Sequence, residues 1–483
     1  MRRGLAVFLV VLIAFGFVPT ESAEARTFRN CVELRKSFPN GVAASKFAVN
    51  KGPGPIQTPR VSSRIYKQNV RLDLDRDKII CEVVRRAGAP SGSSSESAYV
   101  GPNIPGQAIE RCKIREASQN DVLYGDKNFT KTGFPVAKPT TSSGTVKWAL
   151  IPVQFADSPP QGDFRPRVDG QMSLLSEWFA TVSGGKFKVD WVVARDWVTL
   201  PGSANDYIIP RSVNVIDAPN GPKLFREAML AADPTFDFTN IQTVNFILPK
   251  GQTVIGETSQ GFPWDQVVQQ VTTNEGRVQS YSIPGVFMDD PRRAYWSYWA
   301  HEFGHAMGLP HIGSSRGELP PFNPWDLMGG QDGPSRELTG WLRFLAGWLD
   351  DEQVYCQDLA QASDLKLTLV PLSDNKTGIK MVGIPISSTK ILLIESRRET
   401  KFSCPSTPAR NGVLVYVYDA TLGHNQDFLI AAEPSGRVAQ YSTCLVSPNP
   451  DFLLRSGDKV TVEGVTVEVV EHGVFDKIQV RTN

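Results

Sequence analysis

The chain has 483 residues, of which 41% are hydrophobic and 21% are charged, and its formal net charge at pH 7 is +1. This length is more than one ordinary core supports, so it predicts two or three domains. The balanced charge argues against nucleic acid and against an anionic membrane surface as partners, since both attract strongly basic proteins.

The first 25 residues predict a secretory signal peptide. Two arginines precede the apolar run LAVFLVVLIAFGFV, which is followed by the small-residue pattern Ala23-Glu24-Ala25. An uncleaved membrane anchor is the alternative, but the run is short for a spanning helix and no later run reaches the necessary length. We therefore expect a secreted or cell-surface protein with no membrane span after cleavage.

The six cysteines form an even set, which favours disulfides in an exported chain. Sequence order alone does not fix their pairing. Grouping by predicted domain gives Cys31 with Cys81, Cys404 with Cys444 and, by elimination, Cys112 with Cys356.

Residues 26–86 form the first predicted module, which ends in the segment LDLDRDKIICE. Alternating carboxylates in a tight loop can converge on Ca²⁺. Together with the stretch ELRKSFPNGVA, this segment resembles the excalibur domain, a small extracellular module of bacterial proteins with a DxDxDGxxCE motif similar to an EF-hand loop. The candidate calcium ligands are Asp73, Asp75, Asp77 and Glu82.

Lys78 departs from the excalibur pattern, because it stands where the motif has glycine. Glycine suits the sharp turn best, and a lysine adds positive charge near the ion. A solvated acidic turn held by a disulfide is therefore the alternative to a calcium site. The resemblance also implies that the module contacts the cell envelope.

Residues 87–110 include AGAPSGSSSES and predict a flexible linker, since a polar Gly/Ser/Pro stretch cannot form a core. The region 111–358 then alternates strand and helix patterns. We expect strands at WALIPVQF, KFKVDWVVA, TVNFILP and YSIPGVFM, helices at QMSLLSEWFATVS and PKLFREAMLAA, and a further helix from near Tyr295.

Residues 301–311 read HEFGHAMGLPH. On a helix, His301 and His305 lie four residues apart, so both imidazoles project from one face and can reach one zinc ion. Glu302 follows the first ligand and can take a proton from the attacking water without binding the metal. The spacing therefore predicts two zinc ligands and a general base.

The rest of this run predicts a third ligand. Gly308 can adopt the left-handed conformation that ends a helix, and Pro310 prevents the helix from resuming. The redirected chain can bring His311 back to the metal. Three protein ligands leave the fourth tetrahedral position to water, which is the arrangement of a catalytic zinc site.

HExxHxxGxxH is the zinc signature of the metzincin metallopeptidases, which this chain resembles. They add a methionine turn below the metal, and Met328 takes that place here. Within this class, residues 145–350 look like the immune-inhibitor-A-type (M6) family of secreted bacterial metallopeptidases. The segments that carry this likeness are WALIPVQFADSP, EWFATVSGGKFKVDWVVARDWVTLP, HEFGHAMGLP, PWDLMGG and LTGWLRFLAGWL. The resemblance implies an α+β zincin catalytic domain and a peptide substrate.

Three alternatives stay open at the metal site. The M6 family commonly has an aspartate after its GLP, whereas this chain has His311 there. Asp326 could instead be the third ligand, and His311 would then lie behind the ligands and support them. Cys112 could occupy the open zinc position and keep the enzyme latent, although an odd thiol would then remain. Met328 could be an ordinary methionine of a surface loop.

Residues 359–483 change to short apolar alternations separated by Gly, Pro, Ser and Asn. This pattern predicts an antiparallel β-sandwich or barrel. His424 and His472 lie in this region, and neither has a partner at metal spacing, so we interpret both as surface or structural histidines. The expected strands are LKLTLVPL, KILLIESR, GVLVYVYD, KVTVEGVTVEVVE and DKIQVRT.

The sequence thus predicts an α+β protein with a small disulfide module, a zincin domain and a C-terminal β domain. Its predicted function is that of a secreted zinc endopeptidase acting on proteins or peptides. A zinc amidase acting on cell-wall peptides keeps the same chemistry with another cleft. A cell-surface binding protein with an inactive zincin core is the rival from a different class, and the intact Glu302 argues against it.

Overall fold

A computed structural model describes two compact units, Met1–Glu96 and Ser97–Asn483. The predicted signal peptide and the predicted linker up to residue 108 lie outside the described residues, as do Asp75, Glu82 and Cys444. In the described part of the chain, no helix is long and apolar enough to cross a membrane. The described ranges are 27–48, 58–73, 76–81, 109–118, 131–136, 138–211, 220–256, 258–291, 293–313, 322, 325–331, 333, 335–407, 409–434, 436–437, 441–442 and 451–482.

The N-terminal unit has a small core and one disulfide. Its three strands are ordered β2-β1-β3, with β1 parallel to β2 and antiparallel to β3. The predicted bond between Cys31 and Cys81 is confirmed, and Leu34, Ile65 and Ile80 are fully buried around it. Its elements are α1 (Cys31–Ser37), β1 (Val42–Ala43), β2 (Arg60–Val61), α2 (Ser63–Gln68) and β3 (Ile79–Ile80).

The second unit begins with a six-stranded sheet. Its main order is β5-β4-β7-β9-β8, and β6 pairs with the end of β4. All neighbours are parallel except β8, which runs antiparallel to β9 at one edge. The elements up to the β part are β4 (Gly144–Gln154), α3 (Arg165–Val182), β5 (Phe187–Val193), β6 (Val198–Thr199), α4 (Asn220–Ala232), β7 (Ile241–Ile247), β8 (Ser259–Gly261), α5 (Gln266–Gln270), β9 (Ser280–Ile283), α6 (Tyr295–Ala306) and α7 (Gly340–Leu345).

One predicted strand is shorter than expected. The segment YSIPGVFM was predicted as a single strand, but β9 ends at Ile283 and a 3₁₀ helix follows over Gly285–Asp289. Pro284 has no N–H to continue the ladder, and Gly285 takes a φ of +57°. The chain therefore leaves the sheet there and turns toward α6.

Helix α6 is buried on every side. It packs against α3 and against the sheet, where the Phe303 ring lies 4.0 Å from the Trp148 ring between centroids. Trp148 also meets Phe179 of α3 edge to face at 5.5 Å. These aromatic contacts fix the position of the helix that carries the histidine motif, since interlocked buried rings tolerate little displacement.

The C-terminal part is rich in β structure, as predicted. One sheet has the order β10-β12-β13-β15-β16 and a second has the order β11-β20-β19-β18. Apolar side chains from both sheets share one core, and all pairs in the two sheets are antiparallel except β10 with β12. The strands are β10 (Val354–Cys356), β11 (Leu365–Leu369), β12 (Met381–Pro385), β13 (Lys390–Arg397), β14 (Ser406–Thr407), β15 (Gly412–Asp419), β16 (Leu429–Ala431), β17 (Tyr441–Ser442), β18 (Lys459–Val462), β19 (Val465–His472) and β20 (Asp476–Thr482).

The remaining cysteines bear on the predicted pairing and on latency. Cys112 is bonded to Cys356 with an S–S distance of 2.07 Å, which confirms that pair. The alternative in which Cys112 blocks the zinc site is therefore wrong, because its thiol is consumed in the disulfide. Cys404 is also disulfide-bonded. The fold is thus mixed α+β with disulfides and a C-terminal β region, while the zincin assignment and the boundary at 358/359 stay predictions.

Candidate metal centre

The histidine motif lies at the C-terminal end of α6. His301 and His305 are one turn apart on this helix, which ends at Ala306. Gly308 then adopts a φ of +91°, and the N–H of Leu309 donates to the Gly304 carbonyl at 2.9 Å. This left-handed turn redirects the chain toward His311, as the glycine predicted.

The ring nitrogens of three histidines converge. The Nε2 atoms of His301 and His311 are 2.7 Å apart, and those of His305 and His301 are 3.2 Å apart. One donor atom from each ring lies within 4.8 Å of the others. Among the described residues, this cluster is the one group of three or more His, Cys, Asp or Glu side chains that could hold a metal ion.

Main-chain carbonyls fix the tautomers of two of these rings. The Leu327 carbonyl lies 2.8 Å from Nδ1 of His301, and the Leu309 carbonyl lies 2.9 Å from Nδ1 of His305. A carbonyl only accepts hydrogen bonds, so each neutral ring carries its proton on Nδ1 and leaves a lone pair on Nε2. Two lone pairs thus face each other, and a shared cation would remove their repulsion.

The spacing of the nitrogens suits zinc. Two nitrogens bound at about 2.0–2.1 Å to one tetrahedral ion lie roughly 3.3 Å apart. The 3.2 Å separation of His305 and His301 meets this value. His311, which is 2.7 Å from His301, would move outward by roughly 0.6 Å to fit the same ion. The arrangement fits a metal with small adjustment of one loop residue.

Burial keeps these imidazoles neutral. Loss of water lowers the pKa of His301 to about 4. Burial, followed by the repulsion of neighbouring imidazoles, holds the pKa values of His305 and His311 well below the ordinary value. Neutral imidazole is the form that binds a metal ion, so the cluster is ready for a metal at neutral pH.

Glu302 lies in the same cavity as two of the histidines. The cavity has a volume of about 60 Å³, and Glu302 is 7% exposed within it. Burial, and then the charge of Glu302, hold the pKa of the Tyr298 hydroxyl well above its usual value. The cavity lining comprises Gln260, Phe262, Trp264, Glu302, His305, His311 and His424.

Met328 lies against the motif helix from below. It is 1% exposed, so it is not a side chain of a surface loop. A Cβ added at Gly304 would be 2.7 Å from the Met328 sulfur, and the Met328 carbonyl accepts from the Ile312 N–H at 3.1 Å. Met328 thus contacts the helix that carries two of the histidines and the strand segment that follows the third.

The Asp326 side chain holds this turn by accepting hydrogen bonds from main-chain N–H groups. One carboxylate oxygen accepts from the Met328 N–H at 2.8 Å, and the other accepts from the Thr339 N–H at 2.6 Å. The side chain is completely buried and does not belong to the histidine cluster. Both carboxylate oxygens of Asp326 are thus engaged in holding the turn. This weighs against Asp326 as the third zinc ligand.

His424 lines the cavity, although the sequence does not predict it as a site residue. Of the two predicted alternatives, a surface histidine is wrong, because His424 is 6% exposed, and its ring lies 5.5 Å from that of His311 between centroids. Burial lowers its pKa to about 4. No spacing signal could have found it, because it follows the motif by 113 residues. His472 instead lies 2.7 Å from Asp476.

The candidate calcium loop is described only in part. Both Asp73 oxygens accept from main-chain N–H groups, those of Asp77 and Lys78, and the Tyr66 hydroxyl also donates to Asp73. The hydrogen bond to Asp73 raises the pKa of Tyr66 to about 12. Lys78 adopts a φ of +71°, the conformation that the excalibur glycine would favour. Calcium binding by this loop stays a prediction.

Comparison with known proteins places part of the chain in a family. No family model matches it. A segment equal to 17% of the chain is 34% identical over 88 residues to the uncharacterized protein YhjA of Bacillus subtilis (strain 168), and it covers 99% of that protein. Through this segment, the chain belongs to the same family as YhjA.

Two solved structures give only a distant likeness. They are OgpA from Akkermansia muciniphila, as a catalytically inactive form in complex with an O-glycopeptide substrate and as the wild type. The TM-scores are 0.25 and 0.26 and the identities 12% and 11%; each comparison covers 71% of this chain and 94% of OgpA. These scores are too low to carry an argument about fold or activity. The metzincin and M6 resemblance therefore stays a prediction.

Proposed function

We propose that the protein is a secreted zinc-dependent endopeptidase that hydrolyses peptide bonds. The convergence of three Nε2 atoms carries this proposal. Main-chain carbonyls keep the proton of two of these rings on Nδ1, so their Nε2 atoms have a lone pair for a metal ion. His301, His305 and His311 would hold the ion. The disulfides support an extracellular location, because such bonds persist in oxidising compartments.

Bound zinc would supply a water of lowered pKa and would polarise the carbonyl of the scissile bond. Glu302, which lines the same cavity, would take the proton of the attacking water and deliver it to the departing amine. The nearly complete burial of Glu302 keeps competing bulk water away from this transfer. The two proton transfers leave Glu302 in its starting state.

The aromatic part of the cavity wall indicates which side chains of a substrate fit the site. Phe262 and Trp264 stack at 4.9 Å between centroids with an interplanar angle of 20°, and Phe262 meets His305 edge to face at 6.2 Å. Among the described residues of the lining, the ionisable groups are those of Glu302 and the histidines. We infer that the site accepts an apolar or aromatic residue beside the scissile bond.

Cleavage of casein by the purified mature protein tests this function, with Glu302→Gln as the matched variant. The amide keeps the size of the side chain but cannot take a proton, so we expect loss of at least about 100-fold in kcat at unchanged zinc content. Equal cleavage by both proteins would contradict the role of Glu302. Zinc binding without hydrolysis of casein or of cell-wall peptides would favour a binding protein, and hydrolysis of cell-wall peptides alone would favour an amidase.

A further inference from the structure

His424 reaches the candidate metal centre from the β-rich part of the chain. It lies five residues after the end of β15 and lines the cavity together with Glu302 and His305. Its ring is nearly parallel to that of His311, with an interplanar angle of 26°. His424 is therefore a neighbour of the metal-binding candidates that takes no part in holding zinc or in the proton transfers of Glu302.

The His424 loop is fastened to the segment that carries the third candidate ligand. The N–H of His311 donates to Nδ1 of His424 at 3.1 Å, and the N–H of Asn425 donates back to the His311 carbonyl at 3.0 Å. Ile312 and Gln426 form a parallel β-bridge beside them. These reciprocal bonds hold the His424 ring in one position relative to His311.

The bond from His311 also decides where the His424 proton lies. A main-chain N–H can only donate, so Nδ1 of His424 accepts and the neutral ring carries its proton on Nε2. His301 and His305 have the opposite tautomer, with the proton on Nδ1. The metal-binding candidates therefore present lone pairs, whereas His424 presents a hydrogen-bond donor.

We propose that His424 is a catalytic residue that donates a hydrogen bond from Nε2 to the carbonyl oxygen of the scissile bond as that oxygen gains negative charge. The inference rests on the proposed peptidase function. The proton stays on Nε2 throughout, and no bond to the ring forms or breaks. The His424 side chain lines the cavity and is 6% exposed, and a fixed donor in a water-poor site stabilises developing charge more than one in bulk water.

Two substitutions separate donation from loop fastening. In His424→Asn, the amide oxygen can replace Nδ1 as acceptor for the His311 N–H, but no donor reaches the position of Nε2. In His424→Gln, the longer side chain can place an N–H₂ group near the position of Nε2. Loss of one donor to an oxyanion costs about 10²- to 10³-fold in kcat. We expect this loss of kcat in His424→Asn and a partial recovery of kcat in His424→Gln.

Binding measurements test the same point without turnover. A phosphinic peptide mimics the tetrahedral addition state, so its affinity for the zinc-loaded protein should fall in His424→Asn by about the factor lost in kcat/KM. In a Glu302→Gln background, His424→Asn should leave the affinity for an intact peptide nearly unchanged. His472→Asn serves as the control, because His472 does not line the cavity.

The outcomes separate this inference from the proposed function. If the wild type cleaves peptides and His424→Asn does so equally well, or binds the phosphinic peptide equally well, the donor role is wrong. Loss of zinc from both His424 variants would also overturn it, since His424 would then hold the metal site together. If the wild type cleaves no peptide, the proposed function itself has failed.

Discussion

Asp326 shows how one buried carboxylate can organise the turn below the histidine cluster. Its two oxygens accept hydrogen bonds from the N–H groups of Met328 and Thr339. The carbonyl of Leu327, which lies between Asp326 and Met328 in the chain, holds the His301 ring. Complete burial raises the pKa of Asp326 to about 6, against the lowering effect of those N–H groups. The residue therefore links the stability of the turn to pH.

This pKa predicts a pH dependence of stability. The folded chain binds the Asp326 proton more tightly than the unfolded chain, so the folded state becomes less stable as pH rises from about 4 to about 6. The rise in the pKa of Asp326 from 3.8 to about 6 corresponds to about 3 kcal/mol. Asp326→Asn removes this titration, so its free energy of unfolding relative to wild type should change by that amount between pH 4 and pH 7.

Denaturant unfolding at both pH values measures the difference. Chelator in every sample keeps metal loading from varying with pH, and subtraction of the two proteins cancels the titration of the histidines. If the free energies of unfolding of the two proteins changed equally with pH, Asp326 would not be the source of the pH dependence. Retention of stoichiometric zinc by Asp326→Asn in separate loading experiments would also support His311 as the third ligand.

The sequence could predict only those site residues whose geometry is local. His301, Glu302 and His305 share one helix, so helical periodicity fixes their relation, and Gly308 supplies the turn to His311. Other lining residues come to the cavity from the sheet and from the β part of the chain: Gln260, Phe262, Trp264 and His424. Their positions depend on packing across more than a hundred residues in the case of His424, and no local pattern encodes that packing.

At the scale of elements, β8 forms the antiparallel edge of the sheet beside the cavity. Gly261 ends this strand, and a Cβ there would lie 2.1 Å from the Tyr281 ring. That ring is buried and stacks on Phe225 at 4.0 Å between centroids. The glycine is therefore required by close packing of the strand against a fixed aromatic pair.

Gly261→Ala should lower the free energy of unfolding by about 1–3 kcal/mol, because the new methyl group overpacks the site. Gly170→Ala is the matched control, since a Cβ at Gly170 in α3 meets nothing within 4 Å. The control should raise stability by about 0.5–1 kcal/mol, because alanine is the better helix former. Equal effects of the two substitutions in thermal or denaturant unfolding would contradict this packing.

Most elements could be predicted where the apolar period was clear. The strand expected at KFKVDWVVA is β5, and the helix expected at QMSLLSEWFATVS is the second part of α3, which begins earlier at Arg165. The strand at YSIPGVFM is shorter than its apolar run predicts, because Pro284 ends the pairing. The parallel pair of β10 and β12 was also missed, since alternation along a strand carries no information on the direction of its neighbour.

At the scale of the molecule, the second unit has a core shared by the histidine region and the β part. Tyr418 stacks on Trp341 at 4.4 Å between centroids, and Glu395 accepts from the Gly340 N–H at 2.6 Å. Arg397 donates to the Leu338 carbonyl at 3.0 Å. These buried contacts stabilise the helix and loops that follow the metal-binding candidates.

We expect the β part to be necessary for folding of the histidine region. A chain of residues 26–358 would expose the apolar surface around Trp341 and leave the Gly340 N–H without its buried partner. It should show no cooperative unfolding transition and no stoichiometric zinc binding, whereas residues 26–483 should show both. Cooperative unfolding of the shorter chain, followed by circular dichroism, would establish the boundary at 358/359 as an independent domain boundary.

X-ray absorption at the zinc edge of the zinc-loaded protein tests the proposed three-histidine site, because it reports the donor atoms of the bound ion. We expect one zinc per chain with three imidazole nitrogens and one light-atom ligand from solvent, at about 2.0–2.1 Å. Loss of one imidazole contribution is expected in His311→Ala. A carboxylate in place of the third imidazole, a sulfur ligand, or failure of the protein to bind zinc would contradict the proposed site.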